Sequence, residues 1–355
     1  MGSPVVDILG EIWELPDPEL SARWSRCLHD GDSGRNLGYF TDPYQWTSSA
    51  TVQSIEARAG ELLMFHAAGL STKDGAVVAL IGPSGTGKST VARTLCRTDF
   101  GYVTDETVAV RLDGSVIPFP KPIATIPADG GGKVELSPDE LGLVHCPADL
   151  RLAGLVVLER GAEHEEPSIE RRDVLRAIAA VVPDMSALPQ LADGLAHLVR
   201  AMDQAGGVFR IKYQEAEHIS SLVAQALASP SQRTDFVSIA PEHDDEADTD
   251  PTEADGAATD GALAPATADP ADALVSRAPF KDALVTEEVV VLLLGNSCLQ
   301  LQGIGALLWL AAGAGISLDG LRDEVVAAAG EHPESDLLVA RAVDELVENG
   351  ALVRS

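Results

Sequence analysis

The stretch Gly82-Pro83-Ser84-Gly85-Thr86-Gly87-Lys88-Ser89-Thr90 decides the fold. It fits G-x-x-x-x-G-K-[ST], the Walker A pattern, with Gly82, Gly87, Lys88 and Ser89 at the fixed places. An apolar run, Ala76 to Ile81, leads into it as a buried strand should, and Ser89 to Cys96 behind it has helical spacing. The loop therefore sits between strand and helix, the context a phosphate-binding loop requires. Glycines let the backbone wrap a polyphosphate, and the unpaired N–H groups at the helix start point at its oxygens. Lys88 is placed to neutralise the β- and γ-phosphates, and the Ser89 hydroxyl to help hold Mg2+. ATP with Mg2+ is the expected ligand of residues 82–90.

Working outward, the flanks alternate strand and helix. Leu62 to His66 reads as a strand and Thr72 to Gly75 as a turn; Phe100 to Glu106, Thr107 to Leu112, Leu155 to Leu158 and Gly206 to Tyr213 read as further strands. Asp173 to Val182, Leu191 to Ala205 and Ala216 to Ala228 read as helices, which makes the region an α/β domain. Asp105-Glu106 ends a short apolar strand soon after the P-loop helix. A parallel strand beside the P-loop strand would deliver both carboxylates to the γ-phosphate end. One acid could then hold the metal while the other takes the acceptor's hydroxyl proton. His66 ends its own apolar run, where a histidine is either a core or capping residue or a phosphate-side one. Glu159-Arg160 offers a second metal-side carboxylate and a cation, or only a surface ion pair. Lys121, in Pro118-Phe-Pro-Lys-Pro122, either touches substrate or is solvated.

The whole chain has 355 residues, room for two cores, and a net charge of -30 with a pI near 4.4. That balance argues against nucleic acid or an anionic membrane as partner. Between Arg233 and Arg277 there is no Lys or Arg but there are 12 acidic residues, and Ala, Pro, Thr and Gly dominate. Such a segment buries too little apolar surface to offset its ordering entropy, so residues 230–278 read as an acidic disordered linker. Residues 1–60 carry Trp13, Trp24 and Trp46 and read as a lobe packed on the nucleotide domain, residues 61–229. Cys27, Cys96, Cys146 and Cys298 are scattered without metal spacing and read as reduced core thiols. Met1 to Asp7 has no basic n-region or long apolar stretch, so the chain reads as cytoplasmic. The charge-free span Val289 to Leu318 is broken by Asn296, Gln300, Gln302 and glycines, and reads as two short elements rather than a spanning helix.

Residues 279–355 read as a small unit of their own. A hairpin (Glu288 to Leu294, turn at Gly295-Asn296-Ser297, Cys298 to Gln302) precedes helices around Ile304 to Ala312, from Ser317, and from Glu334 to Asn349-Gly350. Leu318, Leu321 and Val325 face inward on the second helix, and Val339, Val343, Leu346 and Val347 on the third. Hairpin plus three helices is an α+β, winged-helix-like arrangement.

Together, Phe65-His-Ala-Ala-Gly69, Ile81 to Thr90 and Gly101-Tyr-Val-Thr-Asp-Glu106 resemble the HPr kinase/phosphorylase superfamily over about residues 50–228. The resemblance implies a P-loop kinase domain with that family's mixed sheet. It also implies His66 as a phosphate-side residue, Asp105 as general base beside catalytic Lys88, and Ser89 with Glu106 as metal neighbours. The second acid here is Glu106 where that family has Asp, and its downstream signature is missing, so a divergent kinase on peptide serine or small hydroxyl compounds is implied rather than one on HPr. Residues 280–355 resemble PqqD-like domains through Val289 to Leu294, Leu299 to Trp309 and Ala340 to Val353. That implies a peptide substrate of RiPP biosynthesis, its leader added as a strand to a sheet edge. The expected activity is transfer of the γ-phosphoryl group to a Ser or Thr hydroxyl of a tethered precursor peptide, in a monomer or homo-oligomer. A P-loop ATPase switch and a kinase for a small metabolite such as free serine remain the alternatives.

Overall fold

The computed structural model describes residues 43–125, 134–241 and 274–355. The chain divides into two compact units, within residues 1–235 and 236–355. Trp13, Trp24, Cys27, most of the expected N-terminal lobe and the middle of the expected linker lie outside the described residues.

Among the described residues the first unit begins with helix α1 (Pro43–Ala57). Strands β1 (Leu63–Ser71) and β2 (Ala76–Ile81) follow as a hairpin, the turn fixed by Gly75 at φ 87° and by the Thr72 hydroxyl, which accepts from Ala76 N–H at 3.0 Å. Then come α2 (Lys88–Leu95), β3 (Gly101–Thr104), β4 (Thr107–Val110), β5 (Val116–Ile117), β6 (Ile123–Thr125), β7 (Val134–Leu136), β8 (Arg151–Arg160) and β9 (Ser168–Arg172). Helix α3 (Val174–Val181), β10 (Met185–Ser186), α4 (Gly194–Gln204), β11 (Val208–Tyr213) and α5 (Ser220–Leu227) complete it. A nine-stranded mixed sheet runs β5-β4-β1-β2-β8-β11-β9, with β3 and β10 also on β1. Strands β2, β8 and β11 are mutually parallel and their neighbours antiparallel.

Strand β1 changes neighbours midway, and this makes the site. Its first half pairs β4 on one side and β10 on the other; its second half pairs β3 and β2. Strands β3 and β4 are thus one line broken at Asp105-Glu106, where the Thr104 hydroxyl accepts from Glu106 N–H at 3.1 Å and Ala67 N–H donates to the Glu106 carbonyl at 3.1 Å. Strand β3 runs in the same direction as β2 but is not its neighbour, because β1 lies between them. That corrects the expectation of an acid-bearing strand beside the P-loop strand; that place belongs to β8. The carboxylates still reach the P-loop end, because Ala67 pairs Ile81 across the β1–β2 ladder while bonding Glu106 on the other side. Helices α2 and α5 close one face of the sheet over Val78, Leu80, Val91, Leu95, Val156 and Ile211.

The second unit comprises β12 (Val237–Ile239), β13 (Leu274–Arg277), β14 (Asp282–Val285), β15 (Val289–Leu294), β16 (Ser297–Gln302), α6 (Ile304–Ala311), β17 (Ile316–Ser317), α7 (Leu318–Ala329), α8 (Ser335–Glu348) and β18 (Leu352–Arg354). Two antiparallel sheets form, β12-β14-β15-β16 and β17-β13-β18. Both ends of the span read as linker are therefore strands. Averaging over a long polar segment hides β12 and β13, each only one short apolar alternation, yet Val275 of β13 is buried in the core. That core centres on Trp309, edge-on to Phe280 at 5.4 Å and stacked under Arg277 at 4.1 Å. Leu321, Val325, Val339, Val343 and Leu346 fill the rest, while Val347 is only partly buried. Among the described residues no helix is long and apolar enough to cross a membrane. Cys96 and Cys146 are buried and outside any disulfide, whereas Cys298, expected in the core, is half-buried on the end strand β16.

Candidate functional site

The P-loop leaves β2 where β1 has exchanged β2 for β10, so a crevice opens beside His66 and Ala67. His66, Pro83, Ser84, Gly85, Gly87, Lys88, Ser89, Thr90, Asp105, Glu106, Lys121 and Arg160 converge on one cavity there. The loop itself is shaped by two residues that only glycine suits, Gly85 at φ 88° and Gly87 at φ 93°, the latter leading into α2. Gly82 and Thr86 are drawn together at the loop's neck, where the Thr86 hydroxyl bonds the Pro83 carbonyl. Tyr213, at the end of β11, donates its buried hydroxyl to the Thr86 carbonyl at 2.6 Å and so braces the loop from two strands over.

Three cations serve this cavity. Lys88 is buried and donates to the Gly82 carbonyl; burial pulls its pKa below that of an ordinary lysine, against the raising fields of Asp184, Glu106 and Asp105. Lys121 is 3 % exposed, so it is not the solvated loop lysine that sequence alone allowed. Its ammonium donates to Glu106 Oε2 at 3.0 Å. Burial lowers its pKa, but the carboxylates of Asp105, Glu106 and Glu135 more than reverse this, and the ammonium stays charged. Arg160 ends β8 on the P-loop side, with its Nε bonded to the Gln214 carbonyl at 2.9 Å and its stem beside Gly87. Glu159 points elsewhere, into an ion-pair group with Arg210 at 2.9 Å, His164 and Lys212. Residues alternate faces along a strand, so only Arg160 of the pair borders the P-loop cavity. Glu159 lies in a surface ion-pair group with Arg210 rather than with Arg160.

The two acids differ in their partners. Asp105 accepts from the Ser89 hydroxyl through Oδ2 at 3.1 Å, and its Oδ1 lies 3.2 Å from the Tyr102 hydroxyl, which is 2.8 Å from the Lys121 carbonyl. Burial raises its pKa; the Lys121 charge and the two hydroxyls pull the other way without cancelling it. Glu106 faces His66 Nδ1 through Oε1 at 3.5 Å and Lys121 through Oε2. Among the described residues no group of three His, Cys, Asp or Glu could hold a metal alone. The Ser89–Asp105 oxygens are nonetheless the hard donors Mg2+ takes when phosphates complete its shell, so the residues fit that ion.

Every expected site residue from 82 to 90, with His66, Asp105 and Glu106, borders this crevice except Gly82 and Thr86, which shape its neck. Sequence reasoning missed Tyr102, Asp184 and Tyr213, and undervalued Lys121. Only the Pro-Lys-Pro rigidity around Lys121 hinted at a fixed side chain.

No protein-family model matches the chain, and no curated protein matches it. Among solved structures, the HPr(Ser) kinase/phosphatase from Coxiella burnetii is similar to this chain at 15% identity and a TM-score of 0.28, over 46% of this chain and 94% of that one. A likeness of that size carries no argument about this chain's chemistry.

Proposed function

We propose that the first unit is an ATP-dependent phosphotransferase that moves the γ-phosphoryl group of ATP to a Ser or Thr hydroxyl. The observation that carries this reading is the split of the acid pair: Asp105 on the P-loop serine at 3.1 Å, Glu106 on His66 at 3.5 Å and Lys121 at 3.0 Å. Phosphoryl transfer needs a metal side and an acceptor side, and two carboxylates committed to different partners supply one each. Ser89 and Asp105 would hold Mg2+, which would supply positive charge against the phosphates when bound. This exchanges the roles implied by the family resemblance, in which Asp105 is the base.

In the step itself the acceptor oxygen attacks the γ-phosphorus. Its proton passes to Glu106, the bond from the γ-phosphorus to the bridging oxygen breaks, and its electron pair leaves with ADP. Lys88, His66 and Arg160, which border the same cavity, would stabilise the transferring oxygens, and backbone N–H groups within residues 84–90 would cradle the phosphates.

The second unit would hold the acceptor as part of a precursor peptide. Support comes from β16, an end strand of its sheet that a peptide strand could extend, and from a separate groove lined by Ile304, Leu338, Arg341 and Glu345. Residues 242–273 would serve as a tether that raises the acceptor's effective concentration. The test supplies Mg-ATP with a Ser-containing candidate peptide, free serine or neither, and follows ADP release and acceptor mass together. A phosphate-mass gain on peptide supports the reading; ADP release without any acceptor gaining mass sinks it and leaves an ATPase switch.

A further inference from the structure

The site holds an internal cation where paired acids often recruit a second metal. In two-metal phosphoryl-transfer sites the ions lie about 3.5–4 Å apart, close enough that the paired acids serve both. Here Ser89 and Asp105 form one oxygen pair facing the P-loop, but Glu106, the second acid, already carries the Lys121 ammonium at 3.0 Å on Oε2 and His66 on Oε1 at 3.5 Å. We infer that Lys121 takes the place of a second divalent ion on Glu106, so that the site binds nucleotide with one divalent ion only. This rests on the phosphotransferase reading above and deepens it.

Three observations hold Lys121 in that role. Its loop cannot swing aside: Phe119 is 0 % exposed and its N–H bonds the Val103 carbonyl at 3.1 Å, while the Lys121 carbonyl lies 2.8 Å from the buried Tyr102 hydroxyl. Pro118, Pro120 and Pro122 fix the backbone on either side. The side chain is 4 % exposed, and the fields of Asp105, Glu106 and Glu135 all converge on it. A divalent ion at 2.0–2.1 Å from Glu106 would have to share that carboxylate with a fixed ammonium, and like charges that close in a poorly solvated site repel strongly. A lysine ammonium also never dissociates from the site, so Glu106 stays oriented towards the acceptor at any metal concentration. Lys121 is thus a positioning residue acting through Glu106.

The test counts metal ions. Full-length protein with a saturating non-hydrolysable ATP analogue is titrated with Mn2+, and bound ion is read by electron paramagnetic resonance. One Mn2+ per chain is expected for the wild type, and two for Lys121→Met, which keeps the buried stem and uncovers Glu106. Adding Glu106→Gln to Lys121→Met should remove the second ion. In turnover, Lys121→Met should lower kcat by tenfold or more with KM for ATP within about twofold, and Lys121→Arg should recover much of it. Two ions on the wild type would overturn the inference without any variant having to fold. One ion on a folded Lys121→Met would overturn it as well. Failure of the analogue to bind at all would instead strike at the phosphotransferase reading.

Discussion

Asp105 is buried at a cost to the fold that its place beside Ser89 explains. Burial holds its carboxyl pKa above the ordinary 3.8, so the folded chain binds that proton more tightly than the unfolded one. The sign follows by linkage: this residue's stabilising contribution is fully present below the ordinary value and is lost as pH rises through the raised one. At neutral pH Asp105 is therefore a burden on the nucleotide-free protein. Asp105→Asn should raise its Tm at pH 7, with the gain shrinking as pH falls towards about 4, while its Mg2+ dependence of nucleotide binding weakens. A lower Tm for Asp105→Asn at pH 7 would mean that the Ser89 and Tyr102 bonds outweigh the burial penalty. Glu106→Gln should behave in the opposite way, with nucleotide binding kept and kcat lowered by roughly 10²–10⁴ as for loss of a general base. A thermal-shift assay with Mg-ATP and a turnover assay on the same preparations separate the two acids.

At the scale of elements, the site depends on two strands with no motif of their own. The P-loop and Asp105-Glu106 were legible because each is a short pattern whose chemistry is local to it, whereas a lone His66 became a candidate only through the family resemblance. Tyr102 and Tyr213 were not, because a tyrosine in an apolar run reads as core, and both are core: each is about 1 % exposed. Only the register of β3 against β1, and of β11 against β8, brings their hydroxyls to Asp105 and Thr86. The order of strands was also misjudged, since two antiparallel steps through β1 return β3 to the direction of β2 as surely as one parallel step would. Tyr213→Phe should remove one buried hydrogen bond, about 1 kcal/mol, seen as a Tm loss of roughly 2–4 °C for a unit of this size. Gly87→Ala should do more. At φ 93° an L side chain is strained, and its Cβ would stand 3.0 Å from the Tyr213 hydroxyl. Strain and lost brace together should abolish the Mg-ATP thermal shift, whereas Tyr213→Phe should only reduce it. Equal losses in both variants would show that the brace, not the backbone, sets the loop.

At the scale of the molecule, the question is where the first unit ends. Composition placed its boundary at 229, after the last helix, because everything beyond reads as polar and acidic. The structure gives that tail a definite anchor. Asp203, 8 % exposed near the end of α4, accepts from Thr234 N–H at 2.8 Å, the Thr234 hydroxyl at 2.9 Å and Gln232 Nε2 at 3.2 Å. Gly206, at φ 72°, lets the turn after α4 pass so close to Ser229 and Pro230 that a Cβ would stand 2.8 Å from the Ser229 carbonyl oxygen. Residues 230–234 are thus the last part of the first unit. Two truncations decide this. A chain of residues 1–235 should keep the wild-type thermal midpoint of this unit and its Mg-ATP shift. A chain ending at 229 leaves the Asp203 carboxylate buried without its donors, and should lose about 1–3 kcal/mol. The same 1–235 chain tests the proposed tethering by removing it. If the second unit works by presenting a peptide, kcat at saturating peptide should be unchanged while KM for peptide rises by roughly 10²–10⁴, the range that tethering supplies. KM for free serine, if that is turned over, should not move. A fall in kcat with unchanged KM would mean that the second unit acts on the chemistry itself, and the tethered-substrate reading would fall.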